Sequence, residues 1–123
     1  RVSAHTTRVP VVDGHTEAIG VELGEPAAAG ELRAAFERFH GPPQRLGLPT
    51  APRRPIVYRD EPDRPQPRRD ADCERGMAIV VGRLRPCPVL GWKFVALGHN
   101  TVRGAAGAAL LNAELLAAGG HFD

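Results

Sequence analysis

Cysteine, lysine and aromatic side chains are all scarce in this 123-residue sequence, and each scarcity removes a class of explanation. Two cysteines, Cys73 and Cys87, cannot build a disulfide framework. Neither lies in a C-x-x-C pair or at ligand spacing from a histidine, so no metal site is assigned and the roles of the two thiols stay open. Four Phe, one Trp and one Tyr leave the core to Val, Leu, Ile and Ala. No apolar run approaches the ~20 residues of a membrane span, and no signal-peptide pattern opens the sequence. No membrane partner and a cytoplasmic location are therefore expected. Of 16 basic residues only Lys93 is a lysine, against 14 acidic ones, for a net charge of +2. With abundant Ala and Gly, that arginine bias reads as coding composition rather than as a nucleic-acid signal, and no nucleic-acid partner is expected. The length suits one small domain or part of a larger one. Because the sequence opens at Arg1 directly before an extended segment, the expectation is a piece of a longer protein whose N-terminal part is not included.

The patterning predicts a mixed α and β chain. Residues 2–13 read as a strand, interrupted or bulged at Pro10. Ile19, Val21 and Leu23 alternate with small or polar neighbours as a second strand, with Gly14-His15-Thr16 as the connection. Leu32, Ala35, Phe36 and Phe39 form one apolar stripe, predicting a helix over 31–40 that stops at Gly41-Pro42. Residues 41–76 hold eight of the twelve prolines and many charges. They read as a long irregular excursion in which only Ile56-Val57-Tyr58 makes a strand. Its arginines are nearly cancelled by interleaved Asp and Glu, which predicts a solvated or interface loop. Residues 77–85 read as a strand buried on both faces. It turns through Pro86–Gly91 and pairs antiparallel with 92–97. Residues 101–118 read as a helix capped by Asn100 or Thr101 and ended by Gly119-Gly120. Gly104 to Ala109 are all small, so something presses close to that helix start, either packed chain or a cofactor.

The chemistry concentrates in Arg8-Val9-Pro10-Val11-Val12-Asp13-Gly14-His15. Arginine recognises carboxylate or phosphate with a planar fork, and histidine is the side chain best placed to move protons near neutrality. Seven positions separate Arg8 from His15, so an unbroken strand would place them on opposite faces. They can share a site only if Pro10 or Asp13-Gly14 bends the chain.

Several blocks in this order resemble one family, the aspartate-semialdehyde dehydrogenases of the archaeal and fungal type. They are Arg8-Val9-Pro10-Val11…Gly14-His15-Thr16-Glu17, Leu48-Pro49-Thr50-Ala51-Pro52, Asp63-Arg64-Pro65-Gln66-Pro67-Arg68, Gly76-Met77…Val81-Gly82-Arg83 and His99-Asn100-Thr101-Val102-Arg103-Gly104-Ala105-Ala106-Gly107. The resemblance spans nearly the whole chain but only the C-terminal third or so of such an enzyme. It implies NADPH-dependent reductive dephosphorylation of L-aspartyl 4-phosphate to aspartate semialdehyde and phosphate, a step toward lysine, threonine, methionine and isoleucine. A cysteine thiolate attacks the acyl phosphate, and hydride reduces the resulting thioester. On this resemblance His15 is the proton acceptor, Arg8 binds the substrate carboxylate and Glu17 supports the site. Asn100 lies near the nicotinamide, with Thr101 and Gly104 beside it.

The resemblance also implies an α+β fold. A mixed or antiparallel sheet with flanking helices forms the trailing part of a glyceraldehyde-3-phosphate-dehydrogenase-like catalytic and dimerisation domain. Residues 1–97 would belong to that domain, and 98–123 would be a helix returning to an NADP-binding domain and leaving apolar surface exposed. A homodimer or homotetramer is implied for the full-length form. The nucleophilic cysteine and glycine-rich cofactor loop of the family are not in these residues; His5 or Thr6 stands where a cysteine is common. The chain alone is therefore expected to be inactive. The alternatives are a non-catalytic remnant that serves as an oligomerisation module, or a related acyl reductase such as malonyl-CoA reductase.

Overall fold

A computed structural model describes residues 5–122. Four strands form one mixed sheet: β1 (His15–Val21), β2 (Ile56–Arg59), β3 (Ile79–Cys87) and β4 (Gly91–Gly98), in the order β1-β4-β3-β2. β1 and β3 run antiparallel to β4, while β2 lies parallel to β3. The β3–β4 hairpin and the α+β class thus match the sequence expectation. The first strand does not. Residues 5–13 form no strand, and residues 2–4 of the expected one lie outside the described residues. His15 and Thr16, expected in a connection, open β1 opposite Gly98 and Leu97. The physical reason lies in Pro10, which lacks an amide hydrogen for a ladder. Here it sits at the centre of a tight turn closed by Val11 N–H donating to the Val9 carbonyl at 2.9 Å.

Alternation along the strands gives the sheet two distinct faces. On one, Val57 and Val80 pack with Ala78 and Cys73 to form the core, and Leu97 pairs with Val80 across the ladder. The proline-rich excursion covers this face rather than standing in solvent. A methyl group on Gly82 would lie 2.5 Å from the Arg64 carbonyl, so that backbone lies directly on the sheet. Asp70 fixes it: at 1% exposure its carboxylate takes bonds from Arg64 Nε at 2.7 Å, from Arg64 Nη2 and from Gln66 N–H at 2.7 Å. Burial disfavours the Asp70 carboxylate. The Arg64 bond, the Gln66 N–H and the charges of Arg64 and Arg59 outweigh that and hold its pKa below the ordinary value. Of the expected solvated or interface loop, the solvated reading is therefore corrected: two short helical turns, α2 (Pro42–Arg45) and α3 (Pro67–Asp70), and a buried ion pair make it part of the fold.

Helix α1 (Ala29–Arg38) lies over the β2–β3 side of the opposite face. Phe36 stacks near Tyr58 at 6.4 Å and meets Phe94 edge-on at 5.2 Å. Phe39, expected on the same stripe, falls just past the helix end and is 53% exposed. β3 runs two residues beyond the expected end, and one extra residue is inserted between Gly82 and Arg85, where Arg83 has φ 57°. The last helix begins as a wide π turn over Val102–Ala106 and continues as α4 (Gly107–Ala118). Gly107 explains the small residues there, since a methyl group on it would meet Met77 Sδ at 2.4 Å. Glu114 ties α4 to the excursion by accepting from Thr50 N–H at 3.0 Å and from the Thr50 hydroxyl. Leu111 is buried under α4, while Leu110 and Leu116 stand 55% and 45% exposed. No helix among the described residues is long and apolar enough to cross a membrane.

Candidate active site

Antiparallel pairing of β1 with β4 builds the site. Its last rung sets His15 opposite Gly98, so the residue before His15 and the residues after Gly98 emerge side by side. Gly14 and Asn100 meet there: Gly14 N–H donates to Asn100 Oδ1 at 2.9 Å. Gly14 has φ 116°, a backbone conformation that side-chain-bearing residues rarely adopt. A methyl group on it would stand 3.0 Å from Pro67 Cβ and 3.1 Å from Leu97 Cδ1. Together with the Pro10 turn, this bend breaks the strand between Arg8 and His15. The parity objection is thereby resolved, because no ladder connects them.

Two cavities open at this corner. One, of about 680 Å³, is lined by Arg8, Val9, Asp13, Gly14, His15 and Asn100 among others. The second, about 540 Å³, is a largely apolar groove along the sheet face beside α1. His15, Glu17, Asn100, Arg103 and Gly104 line it together with Phe94 and Ile79. His15 and Asn100 border both. Arg8, His15, Glu17 and Asn100 are all exposed. The structure thus brings Arg8 and His15 to one cavity. His15 and Glu17, two apart on β1, share the sheet face that forms the other. Gly104 borders the groove with only the His99 carbonyl, at 3.6 Å, near the position of a Cβ. Thr101 lines neither cavity, and its hydroxyl lies 3.2 Å from His99 Nδ1.

The expected cap holds in position but not in chemistry: Thr101 is the N-cap residue, yet neither Asn100 nor Thr101 caps the last helix with its side chain. His99 does so instead, accepting at Nδ1 from Thr101 N–H at 3.3 Å and from Val102 N–H at 3.4 Å. Sequence reasoning assigned His99 nothing. The available signal was that it stands three residues before the first helical residue, Val102, but histidine is a rare cap.

The cysteines stand apart from the site. Cys73 packs against the core face, and burial pushes its thiol pKa up. Cys87 pairs with Gly91 at the far end of the hairpin from Gly98 and His15. Seven strand rises, about 23 Å, separate those two ends. The backbone N–H groups of Leu90 and Val89 lower the Cys87 pKa. Among the described residues no group of three or more His, Cys, Asp or Glu side chains is placed to hold a metal ion.

A mixed four-stranded sheet with flanking helices and a cavity that joins Arg8 to His15 at its corner make up an α+β domain, and comparison with known proteins gives its family. Residues 1–103 match the family model described as semialdehyde dehydrogenase, dimerisation domain, and the chain belongs to that family. It is 55% identical over 117 residues to the aspartate-semialdehyde dehydrogenase of Methanothermobacter thermautotrophicus, covering 94% of this chain and 34% of that protein. The enzyme of the same name from Archaeoglobus fulgidus is 54% identical, with 94% and 33% covered. Among solved structures, Candida albicans aspartate-semialdehyde dehydrogenase with NADP superposes with a TM-score of 0.80 at 43% identity, covering 90% of this chain and 32% of that one. The chain therefore spans about a third of the length of the curated relatives it matches.

Proposed function

We propose that this chain supplies the proton acceptor and the substrate-carboxylate clamp of an aspartate-semialdehyde dehydrogenase, a cytoplasmic enzyme of amino-acid biosynthesis. The observation that carries the reading is the placement of Arg8 and His15 on one cavity, despite a sequence spacing that a regular strand would not allow. It acquires its meaning from the relatives' shared name.

In this reading the Arg8 guanidinium takes the α-carboxylate of aspartyl 4-phosphate as a two-point fork. His15 accepts the thiol proton of the attacking cysteine at an imidazole nitrogen, since the thiolate is the competent nucleophile. The new C–S bond forms as the C–O bond to phosphate breaks and phosphate departs. The resulting imidazolium then holds a proton for the departing thiolate, when the thioester is reduced and the C–S bond breaks. Glu17, on the same face as His15, supports the site from the groove. Neither Cys73, in the core, nor Cys87, at the far end of the hairpin, can serve as that nucleophile, so the thiol comes from outside these residues. Residues 1–97 act as the trailing part of the catalytic and dimerisation domain, and 98–123 as the helix that returns to the cofactor domain.

The residues at the corner fit an NADP ring. Asn100 offers an exposed amide between the two cavities, and Gly104 leaves the groove wall open beside it. Bound NADPH would supply the hydride. Asn100 and Gly104 would border it, with Thr101 acting at one remove through His99. Assembly would be a homodimer or homotetramer, and the family's description as a dimerisation domain supports an oligomer. The test is to assay a protein carrying this chain as its catalytic portion with aspartyl phosphate and with malonyl-CoA, following NADPH oxidation. Turnover of aspartyl phosphate with release of one phosphate per NADPH is expected. Reduction of malonyl-CoA alone would replace the proposed substrate, and no reduction of either would overturn the reading.

A further inference from the structure

The start of the last helix contains a division of labour. Asn is among the best helix caps, yet Asn100 Oδ1 is spent on Gly14, 86 positions away. It is free for that because His99 satisfies the helix start. The His99 carbonyl accepts from Gly104 N–H at 2.9 Å, closing the wide turn. Its Nδ1 faces Thr101 N–H, Val102 N–H and the Thr101 hydroxyl at 3.2–3.4 Å. Two backbone N–H donors, of Thr101 and Val102, converge on this one ring nitrogen and require a lone pair there, so the ring proton sits on Nε2, which lies 3.8 Å from Asp72 Oδ1. His99 is 7% exposed and its ring is clamped in place: a methyl group on Gly76 would be 3.0 Å from His99 Cδ2.

We infer that His99 is a positioning residue for the Arg8–His15 cavity: by capping the helix it leaves Asn100 to hold the Gly14 bend. This rests on the proposed function only for its catalytic meaning, since the geometric claim stands on the contacts themselves. Removal of the Nδ1 acceptor leaves unpaired amides at the helix start. Asn100 is the adjacent side chain best suited to take them, and in doing so it releases Gly14. The loss is therefore transmitted to the far side of the corner rather than confined to the helix.

The experiment is hydrogen–deuterium exchange on an enzyme carrying this chain as its catalytic portion, comparing peptides covering 9–15 with peptides covering 107–118. His99→Gln fills the ring volume but offers its amide at the ε position, whereas His99→Asn restores an acceptor where Nδ1 stands. Exchange over 9–15 is expected to quicken about fivefold or more in His99→Gln, the factor that one net hydrogen bond contributes. Exchange over 107–118 should stay unchanged, and His99→Asn should return 9–15 to the parent rate. Asn100→Ala should reproduce the His99→Gln pattern. Unchanged protection of 9–15 in His99→Gln, or loosening of both segments together, would overturn the inference. If His99→Gln does not fold, nitrogen-15 chemical shifts of the parent imidazole decide: a proton on Nδ1 overturns the assignment and one on Nε2 upholds it. A failure of His15 as proton acceptor would appear only in turnover and would leave these exchange patterns intact.

Discussion

The Gly14 amide hydrogen points at Asn100 Oδ1 across 2.9 Å, joining the segment that carries Arg8 to the turn that opens the last helix. One hydrogen bond and one left-handed backbone position thus define the corner on which both cavities open. Substituting Gly14→Ala attacks the second of these: φ 116° is strained for alanine, and the new methyl group presses on Pro67 and Leu97 at 3.0 and 3.1 Å. A loss of about 1–3 kcal/mol is expected, read as a lower urea midpoint with an unchanged m-value. Asn100→Ala should cost less stability but slow turnover, because it releases the bend without straining it. Equal stability of Gly14→Ala and the parent would contradict the geometry.

The buried Asp70 predicts how the fold responds to acid. Its carboxyl pKa is held below the ordinary value of 3.8, so the native state favours the ionised form more than the unfolded chain does. The stabilisation is therefore complete above the ordinary carboxylate value and drains away as pH falls through the depressed native value. Asp70→Asn should cost about 1.5–3 kcal/mol at neutral pH, the range for hydrogen bonds to charged groups. It should also flatten the acid limb of a stability-against-pH curve below about pH 4. Parallel curves for Asp70→Asn and the parent would show that another group controls acid unfolding.

Much of this was legible from residues alone. The continuous apolar run at the start of 77–85 and its return over 92–97 announced the central hairpin, and the Leu32–Phe36 stripe announced α1. What the sequence concealed was long-range compensation. Prolines and charges in 41–76 suggest solvent, and only the fold reveals that Asp70 and Arg64 bury each other over Gly82. The helix cap shows the same limit from the other side. Local preference assigned the cap to Asn100 or Thr101, but the β1–β4 register brings Gly14 within reach of Asn100 and leaves His99 the task. Arg8 and His15 were recognisable by type and motif. Their shared cavity depended on two bends that the sequence could mark, at Pro10 and Gly14, but not shape.

The two thiols should separate cleanly by reactivity. Burial raises the pKa of Cys73, whereas the backbone amides of Leu90 and Val89, with Lys93 and Arg85 near, lower that of Cys87. With the thiolate as the reacting species, iodoacetamide at mildly alkaline pH should label Cys87 well before Cys73, as read by peptide mass. Labelled Cys87 should leave the Arg8–His15 corner undisturbed, since it lies at the opposite end of the hairpin. Faster labelling of Cys73 would place that residue outside the core.

The most direct test of the central claim compares His15→Ala and Arg8→Ala in an enzyme carrying this chain as its catalytic portion. Positioned acid–base catalysis is typically worth ~10²–10⁴-fold. His15→Ala should therefore lower kcat by that order with KM for aspartyl phosphate little changed. Arg8→Ala should raise that KM by tenfold or more, the order expected when a charge-paired contact of about 1.5–3 kcal/mol is removed. Near-parent kcat in His15→Ala, or unchanged KM in Arg8→Ala, would contradict the pairing of proton acceptor and carboxylate clamp on one cavity.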